Sequence, residues 1–140
     1  MKRTFAGAIS LIVAAAVVWY FREEPSHDIV VILTVGYQGT VVITEDPSVE
    51  PKVTREGVPL FTIGADGTCR SGDIDVFYKW HKLRAELPDG TRFPCTGEEN
   101  VYSDTVALRG TVSGTDSASE RRYVKFVVGT LQDYKNAFKY

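Results

Sequence analysis

The stretch IVVILTVGYQGTVVITED, residues 29–46, decides the fold. Two runs rich in β-branched residues, 29–35 and 40–44, flank a short polar break that contains two glycines. Val, Ile and Thr restrict χ1 and fit a pleated surface better than a helix, so the stretch predicts a strand, a turn and a second strand. The first run lacks regular apolar–polar alternation, and we therefore expect it to be covered on both faces.

Downstream, the chain continues in short apolar pieces separated by turns. Residues 59–63 predict a third strand, and Asp66-Gly67 and Asp89-Gly90 favour turns with positive φ. In residues 73–80, DIDVFYKW, apolar residues occupy every even position, which predicts a strand with one buried face. Residues 92–95 should then run back beside the preceding extended segment, and residues 104–112 and 122–128 alternate in the same way.

The C-terminal end predicts a short helix. Thr130, followed three residues later by Asp133, resembles a capping box, and Leu131, Tyr134 and Phe138 then share one face. About seven strands before one helix indicate an all-β class, an antiparallel β-sandwich over residues 29–140.

The first 22 residues predict a hydrophobic helix that directs export. Lys2 and Arg3 precede an apolar stretch without charge, residues 5–21, and Arg22 follows it. Small residues at 14–16 fit a cleaved signal peptide, whereas the aromatic residues at 19–21 fit a retained membrane anchor, and both alternatives stay open. Residues 23–28 form a polar linker. Residues 23–140 should lie outside the cytoplasm in either case: periplasmic, secreted or anchored to the inner membrane through residues 5–21.

Charge argues against nucleic acid as a partner. Removing Lys2, Arg3 and Arg22 from the 16 basic residues leaves 13 against 18 acidic ones, a net charge of −5. An acidic exported domain without a large basic cluster repels the phosphate backbone.

Cys69 and Cys95 are the two cysteines of the chain. An even pair in an oxidising compartment usually bridges, so we expect a disulfide, with two free thiols as the alternative. Two cysteines without a neighbouring pair of histidines do not predict a metal site.

No catalytic arrangement is complete in the sequence. His81 with Asp75 and either Ser71 or Ser113 could be imagined as a hydrolytic triad, but no nucleophile-elbow motif is present. An exposed histidine at a strand end is the simpler interpretation. We expect no catalytic residue and no enzyme.

Carboxylates and glycines also give no ligand site. Asp73 and Asp75, with Asp66, could pair or bind Ca²⁺, but a solvated strand face and a turn explain them more simply. The loop at residues 64–67 lacks the Lys and the helix of a phosphate-binding loop. We therefore expect no metal and no cofactor.

Three aromatic residues are candidates for binding. Tyr78 and Trp80 could form a platform for sugars or peptides, but their register with Ile74 and Val76 favours the core. Tyr37, at the turn between the first two strands, either folds back against the sheet or contacts a partner.

The segment GYQGTVVI, residues 36–43, resembles the hairpin of a family of small exported bacterial domains of unknown function with the motif GYxGxVxI. The segment PLFTIGADG, Phe77-Tyr78 and the closing FVVGT before a helix follow the order of that family. The resemblance covers most of residues 29–138 and implies a transthyretin-like or carboxypeptidase-regulatory-like sandwich. The family has no known activity to transfer.

Together these features predict an exported or membrane-tethered β-sandwich that acts as a non-catalytic binding or accessory module. Its partner would be a protein or a glycan. The alternatives are a small secreted hydrolase or inhibitor-like effector, and a structural subunit tethered to the membrane.

Overall fold

The structure, a computed structural model, describes residues 27–139. Two β-sheets enclose one core, and one short helix ends the described chain. The strands are β1 (His27–Ile32), β2 (Gly39–Glu45), β3 (Lys52–Val53), β4 (Pro59–Thr62), β5 (Thr68–Ser71), β6 (His81–Glu86), β7 (Arg92–Phe93), β8 (Ala107–Thr115) and β9 (Arg122–Gly129). The helix, α1, is Leu131–Ala137.

Predictions for the N-terminal segment mostly fall outside this range. The hydrophobic helix, its role as signal or anchor, and residues 23–26 of the linker are not among the described residues. The last two linker residues, His27 and Asp28, belong to β1. Within residues 27–139, no helix has the length and apolarity needed to cross a membrane.

Each sheet mixes parallel and antiparallel pairs. The strand orders are β3-β4-β1-β6-β7 and β5-β2-β9-β8. β1 runs parallel to both of its neighbours, and β2 runs parallel to β5, so the prediction of a purely antiparallel sandwich was wrong. The physical reason is that β1 and β2 lie in different sheets. The Gly-containing break carries the chain across the core instead of closing a hairpin.

The core lies where the two sheets face each other. Ile29, Val31 and Leu33 from the first apolar run meet Ile43 and Phe126 from the opposite sheet, and all five are buried. Burying one such side chain contributes roughly 1.5–3 kcal/mol. Val30, on the other face of β1, is also buried, which confirms cover on both faces for the first part of the run, whereas Val35 at its end is 70% exposed.

The segment at residues 73–80 is not a strand. It forms a 3₁₀ turn, Asp75–Tyr78, which opens with the Asp75 amide donating to the Asp73 carboxylate at 2.8 Å. A turn of this kind repeats every three residues, so Ile74 and Phe77 point into the core. Apolar residues at every second position resembled a strand, but the local hydrogen bond of Asp73 sets a different period.

Other predictions are confirmed. Strands cover residues 40–44, most of 59–63 and 122–128, and the latter part of 104–112. β7 runs back beside β6, and Thr130 and Asp133 form the capping box of α1. β5 was not predicted, because Thr68–Ser71 carries no apolar alternation; an edge strand needs little of it.

The predicted disulfide is not formed, and both cysteines are free. Cys69 lies on β5 at one edge of the four-stranded sheet, and Cys95 pairs with Leu108 of β8 at the other edge. Intervening strands at roughly 4.8 Å each hold the two Cα atoms well beyond the limit of about 7 Å for a disulfide.

Candidate binding groove

A groove opens where the chain leaves the five-stranded sheet. β7 pairs only with Ala85 and Glu86 at the end of β6. Pro94 follows and has no amide to continue this ladder. Instead, the Pro94 carbonyl accepts from the Leu108 amide at 2.8 Å, and the Thr96 amide donates to the Leu108 carbonyl at 3.0 Å. The segment at residues 94–96 therefore joins the two sheets and leaves a wedge beside the first part of β6.

This wedge is a groove of about 670 Å³. Residues 80–83 line it on the β6 side, Gly110 and Thr111 line it on the β8 side, and the connecting segment contributes residues 96–98. Its volume lies within the range of roughly 300–1,000 Å³ that is usual for ligand sites.

Trp80 is the most exposed large apolar side chain of the described chain, with 81% of its surface accessible. The prediction that Trp80 and Tyr78 belong to the core was therefore wrong, and Tyr78 is 45% exposed. The two side chains have different surroundings. Tyr78 lies under the Arg122 guanidinium at 5.2 Å, whereas Trp80 lines the groove. An indole at a groove offers a broad apolar face and one N–H donor to a ligand.

His81 lies next to Trp80 but not in a triad. Its Nδ1 is 2.8 Å from the Lys79 carbonyl oxygen, which can only accept, so Nδ1 donates. Its ring packs edge-on against Phe77 at 5.7 Å. Asp75 is engaged by Arg122 at 2.7 Å, and the Ser71 hydroxyl donates to the Asp73 carbonyl at 3.1 Å. Ser113 lies on β8 and makes no hydrogen bond to His81 among the described residues.

The charges in the groove are mainly positive. Arg92 donates to Glu98 Oε1 from two nitrogens, at 2.7 and 3.2 Å, and these bonds lower the pKa of Glu98. The second Glu98 oxygen accepts from the Cys95 amide at 3.2 Å. Lys82 is exposed and has no carboxylate within 4.0 Å among the described residues. The groove thus has two cationic side chains against one anionic side chain.

Tyr37 folds back against the domain, the first of its two alternatives. Its ring is half-buried against the core, and its hydroxyl donates to the Thr40 carbonyl at 2.5 Å. The ring occupies the space that a side chain at Gly67 would need. A contact between Tyr37 and a partner stays a prediction.

The remaining candidate carboxylates serve their own loops. Asp66 accepts from the amide and hydroxyl of Thr68 at 3.0 and 2.8 Å, and these bonds lower its pKa. The Asp73 carboxylate accepts from the Asp75 amide at 2.8 Å, at the start of the 3₁₀ turn. Within residues 27–139, no three side chains of His, Cys, Asp or Glu lie close enough to hold a metal ion.

Sequence reasoning missed the groove because its two walls come from distant segments. Two local signals were available. Ile74 and Phe77 have the three-residue spacing of a 3₁₀ turn, which argues against a continuous strand over residues 73–80, and Pro94 directly follows a short strand. Neither signal shows that β8 is the opposite wall.

The fold resembles that of a solved protein, a crystal structure named "Putative Lipoprotein from Bacillus anthracis". The TM-score is 0.53 at 17% sequence identity, and the match covers 82% of this chain and 81% of that one. At this identity, the similarity shows the fold alone. No family model and no curated protein matches the sequence.

Proposed function

We propose that the chain is an exported, non-catalytic binding module of the bacterial cell envelope and that the groove beside Trp80 is its binding site. The observation that carries the proposal is the exposed indole of Trp80 at the mouth of a groove of about 670 Å³. Because this ring lines a concave site, a ligand in the groove could cover it, and burial of the ring would then contribute to binding.

Export is supported by the N-terminal sequence, with Lys2 and Arg3 before an uncharged apolar stretch. The name of the Bacillus anthracis structure, which shares the fold, is consistent with a protein of the cell envelope. A binding role fits a groove that combines apolar Leu83 with the charged groups Lys82 and Arg92.

A small hydrolase is the second candidate, because His81 lies in the same groove. Binding is favoured because Nε2, which the Nδ1 hydrogen bond to the Lys79 carbonyl leaves as the basic nitrogen, has no hydroxyl nucleophile bonded to it among the described residues, and no carboxylate there bonds the ring. Hydrolysis of ester, glycoside or peptide substrates that disappears in His81→Ala would contradict the non-catalytic proposal.

Site-specific photocrosslinking in intact cells tests the binding proposal. A benzophenone amino acid replaces Lys82 in the groove or, as a control, Val53. Val53 is 58% exposed and lies on β3, at the far edge of the same sheet. We expect an adduct from position 82 that is absent from position 53 and is lost in Trp80→Ala. No adduct, or equal adducts from both positions, would contradict the proposal.

A further inference from the structure

Two open strand edges border the groove. β7 covers only the last two residues of β6, so the side of β6 from His81 to Arg84 has no neighbouring strand in the described chain. The outer side of β8 beyond Leu108 also has none, because the pairing with residues 94–96 ends there. Unpaired amides and carbonyls along such edges are templates for an added strand.

β8 is bent next to this opening. The register with β9 shifts between Arg109 and Val112, and Gly110 has a φ of +65°. Such a bulge turns the edge of a strand and interrupts its pairing. Tyr134 of α1 packs where a side chain at position 110 would lie, so the helix supports the bulge. The bulge is thus a fixed part of the groove wall.

Side chains at the groove define which segment would fit. Trp80 and Leu83 offer apolar contact, and Lys82 and Arg92 give a positive charge that Glu98 only partly balances. The domain itself is acidic, so this positive region is complementary to a negatively charged ligand.

We infer that the groove binds an extended, acidic peptide segment of a partner protein, which adds as a strand along the open edge of β6 and faces the bulged wall of β8. The inference rests on the proposed function and specifies its ligand. Backbone hydrogen bonds to the open edge of β6 would supply affinity, and side chains of the peptide would contact Trp80 and Lys82.

A random dodecapeptide library displayed on phage, selected against the exported full-length chain, tests the inference. We expect enriched sequences that alternate apolar and polar residues and contain Asp or Glu. Synthetic copies are then measured by fluorescence anisotropy. Methylation of alternate backbone nitrogens in such a peptide should abolish binding, because it removes the donors of a strand while keeping every side chain.

Variants assign the binding to the groove. Trp80→Ala should weaken binding at least about tenfold, and Lys82→Glu should reverse the preference from acidic to basic peptides. Tyr102→Ala is the matched control, because Tyr102 is an aromatic residue that is 64% exposed outside the groove. The Tyr102→Ala variant should bind the peptides with the affinity of the unchanged chain. All variants should have the same circular dichroism spectrum, which shows that they are folded.

Several results would overturn the inference. The first is that no peptide is selected from the library. The second is that Trp80→Ala binds the selected peptides with the affinity of the unchanged chain. The third is that backbone-methylated peptides still bind. A concentration-dependent dimer that blocks the groove in ultracentrifugation would assign it to a second copy. If the photocrosslinked adduct at position 82 contains a glycan, the inference of a peptide ligand is wrong but the proposed function stands. If no adduct forms, the proposed function itself is contradicted.

Discussion

Arg109 is a buried cation that forms no ion pair with a carboxylate of the described residues. Only 6% of its surface is exposed. Its Nε donates to the Gly129 carbonyl at 2.9 Å, and Nη2 donates to the carbonyls of Tyr102 and Thr105 at 2.6 and 2.7 Å. Backbone dipoles thus replace the water that a guanidinium loses on burial. One side chain therefore fixes residues 102–105 against the end of β9.

Replacing Arg109 tests this role. Arg109→Lys should lower the free energy of unfolding by about 2–4 kcal/mol, because an ammonium cannot reach three carbonyls in the fixed geometry of a guanidinium. Urea unfolding followed by circular dichroism measures the change. The control Arg84→Lys, at a half-exposed surface ion pair with Glu86, should change stability by less than about 0.5 kcal/mol. Equal effects of the two substitutions would refute the role.

The two cysteines should behave as unequal free thiols. Burial raises the pKa of Cys95 to about 11 and also raises the pKa of the less buried Cys69. Since the thiolate is the reactive form, we expect iodoacetamide to modify Cys69 faster than Cys95 in the folded protein. Peptide mass spectrometry measures both rates, and denaturant should remove the difference. An intact mass that rises on reduction would show a disulfide and contradict this structure.

Two aromatic residues show where prediction from the sequence fails. The alternation at residues 73–80 placed Trp80 inside, yet it is the most exposed large apolar residue described. For Tyr37, the sequence allowed two positions, against the sheet or in contact with a partner, and could not decide between them. The ring packs over Gly67, which lies thirty residues further along the chain. Local patterns do not contain such contacts.

Elements with local signals were predictable. α1 begins where its capping box requires, with the Thr130 hydroxyl accepting from the Asp133 amide at 3.3 Å and Asp133 accepting from the Thr130 amide at 2.7 Å. Both partners lie within four residues of each other, so the sequence alone contains the signal. Strand pairing differs, because the neighbours of β1 begin at Pro59 and His81.

An ionic cluster joins the ends of β2 and β9. Asp46 is buried, accepts from the hydroxyl and amide of Ser48 at 2.7 and 3.1 Å, and lies 3.1 Å from an Arg70 nitrogen. Arg122 of β9 donates to Glu45 and to Asp75. Hydrogen bonds from Ser48 lower the pKa of Asp46, and those from Arg122 lower the pKa of Glu45.

This cluster predicts an acid transition. A carboxylate whose pKa is lower in the folded state adds stability that is complete above its ordinary pKa and is lost as the pH falls through the folded value. The ordinary values are 3.8 for Asp and 4.5 for Glu. We therefore expect the melting temperature to stay level from about pH 7 to pH 5 and to fall below about pH 4. Thermal unfolding by circular dichroism tests this.

The matched variant for the cluster is Asp46→Asn, which keeps an oxygen acceptor for Ser48 but carries no charge. Its melting temperature should be lower at neutral pH and should fall less on acidification than that of the unchanged chain. If the melting temperatures of both proteins fall equally on acidification, Asp46 does not cause the acid transition, and other carboxylates must.

At the scale of the molecule, composition and periodicity gave the all-β class and the terminal helix, while the arrangement of strands had to come from the structure. The groove illustrates the limit. Its walls, residues 80–83 and 110–111, are far apart in sequence and meet only because the segment after Pro94 crosses between the sheets. No local pattern records this crossing.

Export is the prediction that belongs to the whole chain. A C-terminal epitope tag should be degraded when protease is added to intact spheroplasts, and a chain that lacks residues 1–22 should keep its tag protected in the cytosol. A cytosolic protein serves as the control for lysis. Protection of the tag on the full-length chain would contradict export and the envelope role proposed from it.

The position of β1 has a mechanical consequence. β1 begins at His27, directly after the N-terminal segment, and runs between two strands parallel to it. A pull on the chain at this end, against the rest of the domain, acts along the strand axis and strains the flanking hydrogen bonds together instead of unzipping them singly. Anchored from that side, the domain would resist tension best in the direction in which a tether would apply it.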